Sequence, residues 1–168
     1  DLYDIYEILC LAGESLNLIS NDFVLQISHL GILEAILDSI SDDRDFQAQA
    51  IACISRKNSH DLKRLCTQYS ISPEDSDRLC MFVEVNGARE TVLPALEALL
   101  QDHEGKPLQE LKRLSQLLDR LPYSDQILFD FSVVNNMSYY NGIVFRGFIE
   151  GIPEGVLSGG CLLYTSPS

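Results

Sequence analysis

The sequence predicts an α+β domain in which a mainly helical segment is inserted into a β-rich framework. Apolar residues recur at helical spacing over residues 2–16 and again over about 41–121. An alternating segment at 23–28 has the pattern of a strand, and the chain after Pro122 is rich in aromatic and β-branched residues separated by Gly and Asn. Together these patterns indicate helices followed by β hairpins, with one early strand.

The first forty residues predict a helix, a strand and a second helix. Asp1 is a plausible N-cap for the helix over 2–16, since a short polar side chain can accept a hydrogen bond from the first turn. In the strand, Phe23, Leu25 and Ile27 share one face because side chains alternate along an extended chain. The second helix has an apolar stripe formed by Leu30, Leu33, Ile36, Leu37 and Ile40.

Residues 41–121 form the predicted helical insertion. Ser72 as N-cap and Pro73 at the first helical position are its clearest helix start. Pro94 predicts a kink or a later start in the helix that contains it. The candidate helices cover 42–55, 59–69, 73 onward, 89–100 and 106–121.

Residues 122–160 form the predicted β-hairpin region, and 1–160 together are assigned to one domain. Candidate strands cover 126–131, 139–149 and 156–160, the last ending at Gly159-Gly160. Asn135-Asn136 and the segment 151–155, which contains Gly and Pro, are turn signals between them.

Composition excludes several classes of function. The net charge of −13 opposes binding to nucleic acid, and no stretch of about 18 apolar residues predicts a membrane span. Five cysteines without paired spacing indicate reduced thiols and a cytoplasmic protein. The three histidines are far apart, so the sequence predicts neither a metal site nor a cofactor.

Familiar catalytic patterns are absent from the sequence. Gly159-Gly160 is not followed by the Lys and helix of a phosphate-binding loop, and no Gly-x-Ser-x-Gly nucleophile motif occurs. The carboxylates Glu84, Glu90 and Glu97 lie on predicted helix surfaces. We therefore predict no catalytic residue.

One segment carries a functional signal. The stretch Asn135-Asn-Met-Ser-Tyr-Tyr-Asn-Gly-Ile-Val-Phe145, followed by Val156-Leu-Ser-Gly-Gly160, resembles the histidine-specific part of the histidyl-tRNA synthetase family. In that family a Tyr-Tyr-x-Gly-x-Val-Phe strand and a strand ending in Gly-Gly line the histidine pocket. The resemblance implies a class II synthetase-like antiparallel sheet. It also implies a histidine-binding role for Tyr139, Tyr140, Gly142, Ser158, Gly159 and Gly160.

The departures from the motif favour a non-catalytic branch. Synthetases carry Arg-Gly-Leu-Asp before the Tyr pair, whereas this chain has Asn135-Asn-Met-Ser138, which lacks both charges. The segment instead resembles the regulatory subunit of the short-form ATP phosphoribosyltransferase. That resemblance implies a role in the first step of histidine biosynthesis, a hetero-oligomer with the catalytic subunit and possible feedback by L-histidine.

Two other interpretations stay open. The first is a divergent histidine–tRNA ligase, and the second is a helical interaction domain unrelated to histidine. Without the family resemblance, the Tyr pair and the glycines have a simpler explanation as sheet packing and turns.

Both ends of the sequence suggest a fragment. The first two class II synthetase motifs, expected before Asp1, are absent, and residues 161–168 replace the family's Tyr-Asp loop. That octapeptide matches the translation of a sequencing-library adapter, so we expect 161–168 to be an artefact. Uninterrupted native coding sequence across this junction in raw reads would contradict that expectation.

Overall fold

The computed structural model describes residues 2–101, 105–134 and 140–162. Within these ranges it has seven α-helices, a short 3-10 helix at Ser124–Gln126 and five strands. The helices are α1 (Leu2–Ile19), α2 (Leu30–Ile40), α3 (Arg44–Ser55), α4 (Ser59–Gln68), α5 (Pro73–Glu84), α6 (Arg89–Leu100) and α7 (Lys106–Leu118). The strands are β1 (Phe23–His29), β2 (Asn86–Gly87), β3 (Ile127–Asp130), β4 (Tyr140–Ile149) and β5 (Leu157–Leu162).

The five strands form one mixed sheet in the order β2-β3-β1-β4-β5. Strand β1 lies at the centre, where Leu25 pairs with Ile127 of β3 in parallel and with Gly147 of β4 in antiparallel orientation. The other two pairings, β2 with β3 and β4 with β5, are antiparallel. The α+β fold class is therefore confirmed, and the sheet is antiparallel apart from one pair.

The prediction of hairpins throughout 122–160 is wrong for β3. Among the strands of the described residues, only β4 and β5 form a hairpin, and β3 pairs in parallel with β1. A parallel pair needs a long crossover, and α2–α7 supply it between β1 and β3. The predicted end of the last strand at Gly159-Gly160 is also wrong, because β5 continues to Leu162.

Helix boundaries largely follow the predicted pattern. Ser72 caps α5 as expected, since its Oγ accepts from the backbone N–H of Asp75 at 3.2 Å. The later start that Pro94 suggested is wrong, because α6 begins at Arg89 with the proline in its interior. The two residues of β2 interrupt a segment that was predicted to be wholly helical.

The core lies between the helices and one face of the sheet. Phe23, Leu25 and Ile27 project from β1 toward it, as predicted, and each is buried. Burying a side chain of this size contributes about 1.5–3 kcal/mol. The helices add apolar stripes to the same cluster, including Leu9, Leu16, Leu33, Leu96, Leu108, Leu111 and Leu114.

A buried guanidinium ties the helical insertion to the sheet. Arg89 is 6% exposed, and its Nε donates to the carbonyl of Ile127 at 3.1 Å. Its Nη1 donates to the Ser115 carbonyl at 2.7 Å, and its Nη2 lies 3.0 Å from Asp119 Oδ1. A buried arginine needs such partners, because an unpaired charge is costly away from water. Arg89 thus holds α6, α7 and β3 together.

Among the helices described, none is long and apolar enough to cross a lipid bilayer.

Candidate ligand-binding face of the sheet

The sheet face opposite the main core carries a set of polar side chains, which we call the polar face: Gln26, Ser28, Arg146 and Ser158. Gln26 of β1 pairs with Arg146 of β4, and Arg146 pairs with Ser158 of β5. Residues directly opposite in paired strands share one face, so these three form a row across the sheet. A second row runs from Ser28 through Val144 to Gly160.

Burial changes along the polar face. Ser158 is exposed, Gln26 and Arg146 are half-buried, and Ser28 is only 1% exposed. Val144, the partner of Ser28, belongs to a small apolar cluster that is separate from the main core and includes Leu30 and Val133. The polar face therefore has an accessible end at β5 and a covered end at Ser28.

Part of the predicted histidine motif lies outside the described residues. This applies to Asn135-Asn-Met-Ser138 and to Tyr139. Tyr140 begins β4, where it pairs with Leu162. Two residues later, Gly142 has φ +73°, within an irregular register between Tyr140 and Val144. A non-glycine residue adopts that backbone conformation only with strain, so the irregularity requires glycine.

The predicted residues of β5 lie beside residues 144–146 of β4. Gly160 pairs with Val144, Gly159 with Phe145, and Ser158 with Arg146. Gly159 also has a packing role, because a Cβ atom there would lie 2.7 Å from Cζ of Phe145. The structure thus brings Ser158, Gly159 and Gly160 next to β4, the strand that begins at Tyr140. It leaves their role in ligand binding as a prediction.

His29 closes β1 and caps α2. Its Nδ1 accepts from the backbone N–H of Gly31 at 3.0 Å, and its Nε2 lies 3.4 Å from Glu110 Oε2. An Nδ1 that accepts carries no proton, so the geometry assigns a neutral ring with its proton on Nε2. Burial lowers the pKa of His29, and the nearby Glu110 carboxylate opposes that shift only in part. His29 is therefore a structural cap that joins the sheet to α7.

A charged pair lies at the end of β3. Lys57 Nζ donates to Asp130 Oδ2 at 2.8 Å, and Asp130 is 5% exposed. Asp130 Oδ1 accepts from the backbone N–H and the hydroxyl of Ser132 at 3.0 and 2.6 Å. These contacts fix the exit of β3 just before the chain reaches residues 135–139.

The residues of the polar face that the sequence analysis missed are Gln26, Ser28 and Arg146. The sequence did contain a signal for Gln26 and Ser28. Once Phe23, Leu25 and Ile27 are placed in the core, strand alternation places Gln26 and Ser28 on the opposite face. Arg146 follows the matched Val-Phe pair directly, but its position depends on the register between β1 and β4.

The polar face offers hydrogen bonding and charge complementarity. A guanidinium, an amide and hydroxyls can bind a carboxylate or a small zwitterion. Within the described part of the chain, no group of three or more His, Cys, Asp or Glu side chains could hold a metal ion. Burial raises the pKa of the Cys53, Cys66 and Cys80 thiols, which disfavours the nucleophilic thiolate, and Cys53 and Cys66 belong to the buried core.

Comparisons with known proteins identify the family and the fold. A family model described as histidyl-tRNA synthetase matches residues 2–163. An ATP phosphoribosyltransferase regulatory subunit from Alkaliphilus metalliredigens (strain QYMF) is 28% identical over 156 residues, which cover 92% of this chain and 39% of that protein. The chain thus spans about two fifths of the length of this curated relative.

Two solved structures share the fold. One is an ATP phosphoribosyltransferase regulatory subunit/histidyl-tRNA synthetase from Bacillus halodurans C, with a TM-score of 0.86 at 24% identity, covering 95% of this chain and 42% of that one. The other is the ATP phosphoribosyl transferase (HisG:HisZ) complex from Thermotoga maritima, with a TM-score of 0.75 at 20% identity. The match covers 95% of this chain and 56% of that one. At these identities the likeness concerns the fold.

Proposed function

The chain belongs to the histidyl-tRNA synthetase family, and from that premise we propose that it serves in a non-catalytic regulatory subunit of ATP phosphoribosyltransferase. Such a subunit is required for activity in the first step of histidine biosynthesis. The proposal places the protein in the cytoplasm, in a hetero-oligomer with the catalytic subunit of the short-form enzyme. It involves no nucleic acid and no membrane.

One observation carries the proposal. The sequence retains the family's Tyr-Tyr-x-Gly-x-Val-Phe and Gly-Gly segments, but Asn135-Asn-Met-Ser138 precedes them. Adenylation develops charge on a carboxylate and a phosphate, which a preorganised cation stabilises. Asn135 is neutral where synthetases carry Arg, so the sequence keeps the segments that line the histidine pocket in that family and lacks that cation. The regulatory-subunit relative supports the same conclusion.

We further propose that L-histidine binds at the polar face and the hairpin beside it. The residues assigned to it are Tyr139, Tyr140, Gly142, Ser158, Gly159 and Gly160. Arg146 is half-buried, and a guanidinium is a group suited to a carboxylate. Binding there would provide feedback by the product of the pathway.

The test is reconstitution with the catalytic subunit of a short-form ATP phosphoribosyltransferase. Phosphoribosyl transfer to ATP is measured with and without this protein, and the mixture is analysed by size-exclusion chromatography. We expect co-elution and at least a tenfold increase in rate, which L-histidine reduces. A catalytic subunit that neither co-elutes with this protein nor responds to it would overturn the proposal.

The alternative is a divergent histidine–tRNA ligase, since the matching family model is described as histidyl-tRNA synthetase. The two functions differ in one reaction, because a ligase catalyses histidine-dependent exchange of pyrophosphate into ATP. We expect no such exchange, since Asn135 replaces the Arg that would stabilise the adenylation transition state. Exchange above a no-histidine blank would favour the ligase.

A further inference from the structure

We infer that an exposed apolar stripe on α1 is the surface that docks on the catalytic subunit, where it receives an amphipathic segment whose apolar residues are flanked by Lys or Arg. The stripe, which we call the α1 stripe, consists of Ile8, Leu11, Leu18 and Ile19. The inference rests on the proposed function and deepens it, because it names one contact surface and the chemistry of the segment that fits it.

Exposed apolar side chains are concentrated on α1. Among the described residues, eight large hydrophobic side chains are exposed, and four of them form the α1 stripe. Leu18 is 89% exposed, Ile19 is 67% exposed and Leu11 is 63% exposed. Single exposed leucines are ordinary on a protein surface, whereas a contiguous apolar group marks an interaction site. The α1 stripe is therefore a candidate interface.

Helical spacing places the α1 stripe on a face of its own. Successive residues of a helix are about 100° apart, so Leu11 and Leu18 lie within about 20° of each other and the whole stripe spans about 100°. The residues that α1 buries in the core lie on another face and are Ile5, Leu9, Ala12, Gly13 and Leu16. Helix α1 thus has one apolar face for the core of this chain and a second that stays exposed.

Acidic side chains flank the α1 stripe. Glu7 and Glu14 are exposed and lie four residues before Leu11 and Leu18, so each pair is adjacent on the helix surface. None of the salt bridges among the described residues includes Glu7 or Glu14. Helix α1 contains no Lys or Arg. A segment with Lys or Arg beside its own apolar residues therefore complements the stripe in charge and in polarity.

The same charges disfavour two other occupants. A second copy of this chain would bring the acidic flanks of two α1 helices together, and each copy has a net charge of −13. Amphipathic helices that bind membranes carry Lys and Arg on the polar face, and α1 has neither. In the proposed hetero-oligomer, a basic amphipathic segment of the catalytic subunit is the occupant that fits both the apolar residues and the charges.

The experiment measures Kd for the catalytic subunit of a short-form ATP phosphoribosyltransferase by calorimetric titration. It compares wild type with Leu11→Gln/Leu18→Gln and with the control Met81→Gln. Glutamine is a good helix former and the replaced side chains are exposed, so we expect each variant to unfold within a few degrees of wild type. The double variant should raise Kd at least tenfold, because two apolar contacts are lost. Met81 is 59% exposed on α5, outside the stripe, so Met81→Gln should leave Kd within twofold.

A second variant tests the charge of the segment that docks. For Glu7→Gln/Glu14→Gln we expect Kd to rise about 3- to 10-fold at low ionic strength. The difference from wild type should shrink at high ionic strength, because salt screens exposed charges. An unchanged or lower Kd at low ionic strength would overturn the basic character assigned to the docking segment.

The remaining outcomes separate this inference from the proposed function. If Leu11→Gln/Leu18→Gln binds the catalytic subunit as tightly as wild type, or if Met81→Gln weakens binding equally, the inference is overturned while the regulatory function stands. A dimer of the protein alone in sedimentation, dissociated by Leu11→Gln/Leu18→Gln, would identify a second copy as the occupant and would also overturn it. If wild type does not bind the catalytic subunit, the inference and the proposed function both fall.

Discussion

The aromatic ring of Phe145 occupies the space where residue 159 would place a Cβ atom. A Cβ on Gly159 would lie 2.7 Å from Cζ and 3.1 Å from Cε1 of that ring. The two residues pair across the β4–β5 hairpin, and Phe145 is 4% exposed in the main core. The second strand of the family motif therefore needs glycine for packing, whatever it does for a ligand.

Gly159→Ala should destabilise the protein. Overpacking a well-packed site costs about 1–3 kcal/mol, and a buried ring has little room to move. The measurement is the free energy of unfolding in urea. In a Phe145→Leu background the clash is smaller, so we expect Gly159→Ala to cost less there than in wild type.

Gly155→Ala is the matched control for Gly159→Ala. Its Cβ would meet Cγ and Cδ of Arg146 at 3.1 Å, and that flexible side chain can shift. We expect a cost under about 1 kcal/mol. Equal costs for the two glycine substitutions would contradict the role assigned to the Phe145 ring.

Arg89→Lys should be strongly destabilising despite keeping the charge. Lysine has one nitrogen where Arg89 uses three, and the Ile127 and Ser115 carbonyls would lose donors in a buried site. We expect a loss of roughly 2–4 kcal/mol in the free energy of unfolding. Arg44→Lys is the control: its side chain is 84% exposed, and we expect a change within about 0.5 kcal/mol. A similar small change at Arg89 would show that the guanidinium network contributes little.

Ser70→Gly should stabilise the protein. Ser70 follows α4 with φ 57°, in the left-handed region that a side chain disfavours and glycine adopts freely. Relief of that strain outweighs the greater conformational freedom that glycine gives the unfolded chain, so we expect a gain of about 0.5–1 kcal/mol and a higher unfolding temperature. Thr67→Gly, inside α4, should instead cost about 0.5–1 kcal/mol, because glycine weakens a helix interior. A loss of stability at Ser70 would contradict the strain argument.

The sequence predicted the local elements better than their arrangement. The apolar stripe of α2 and the Ser72 cap of α5 are short-range features, and both occur in the structure. The parallel pairing of Leu25 with Ile127 depends on a crossover of about a hundred residues, which periodicity cannot reveal. Strand β2 has only two residues, too few to produce an alternating pattern.

The residues of the candidate site show the same difference between local features and long-range arrangement. Gly159 and Gly160 were found because they belong to a local motif in one hairpin. The position of Ser28 beside Val144 and the burial of its hydroxyl are known only once β1 is placed beside β4. Burial and strand pairing are properties of the folded chain. The sequence therefore identified the motif on β4 and β5 but not the polar residues of β1, the neighbouring strand.

His29 should make stability depend on pH. Burial lowers the pKa of His29 from its ordinary value of about 6.5, so the unfolded chain binds the proton more tightly than the folded protein. The stability that neutral His29 contributes is fully present above about pH 6.5, and it is lost as the pH falls toward the pKa of His29 in the folded protein. Below pH 6.5 the loss is at most roughly 1.4 kcal/mol per pH unit. Protonation also removes the Nδ1 acceptor that caps α2 through Gly31.

His29→Asn isolates this effect from all other titrating groups. An Asn side chain at the N-cap can accept from the Gly31 N–H without gaining a proton in this range. We therefore expect the free energy of unfolding of wild type to fall more steeply than that of His29→Asn between pH 7 and pH 5, measured in urea at each pH. Since both proteins share every other titrating group, the difference between the two curves belongs to His29. Parallel curves would mean that His29 accepts a proton equally well folded and unfolded, and the neutral cap assigned from its contacts with Gly31 and Glu110 would be wrong.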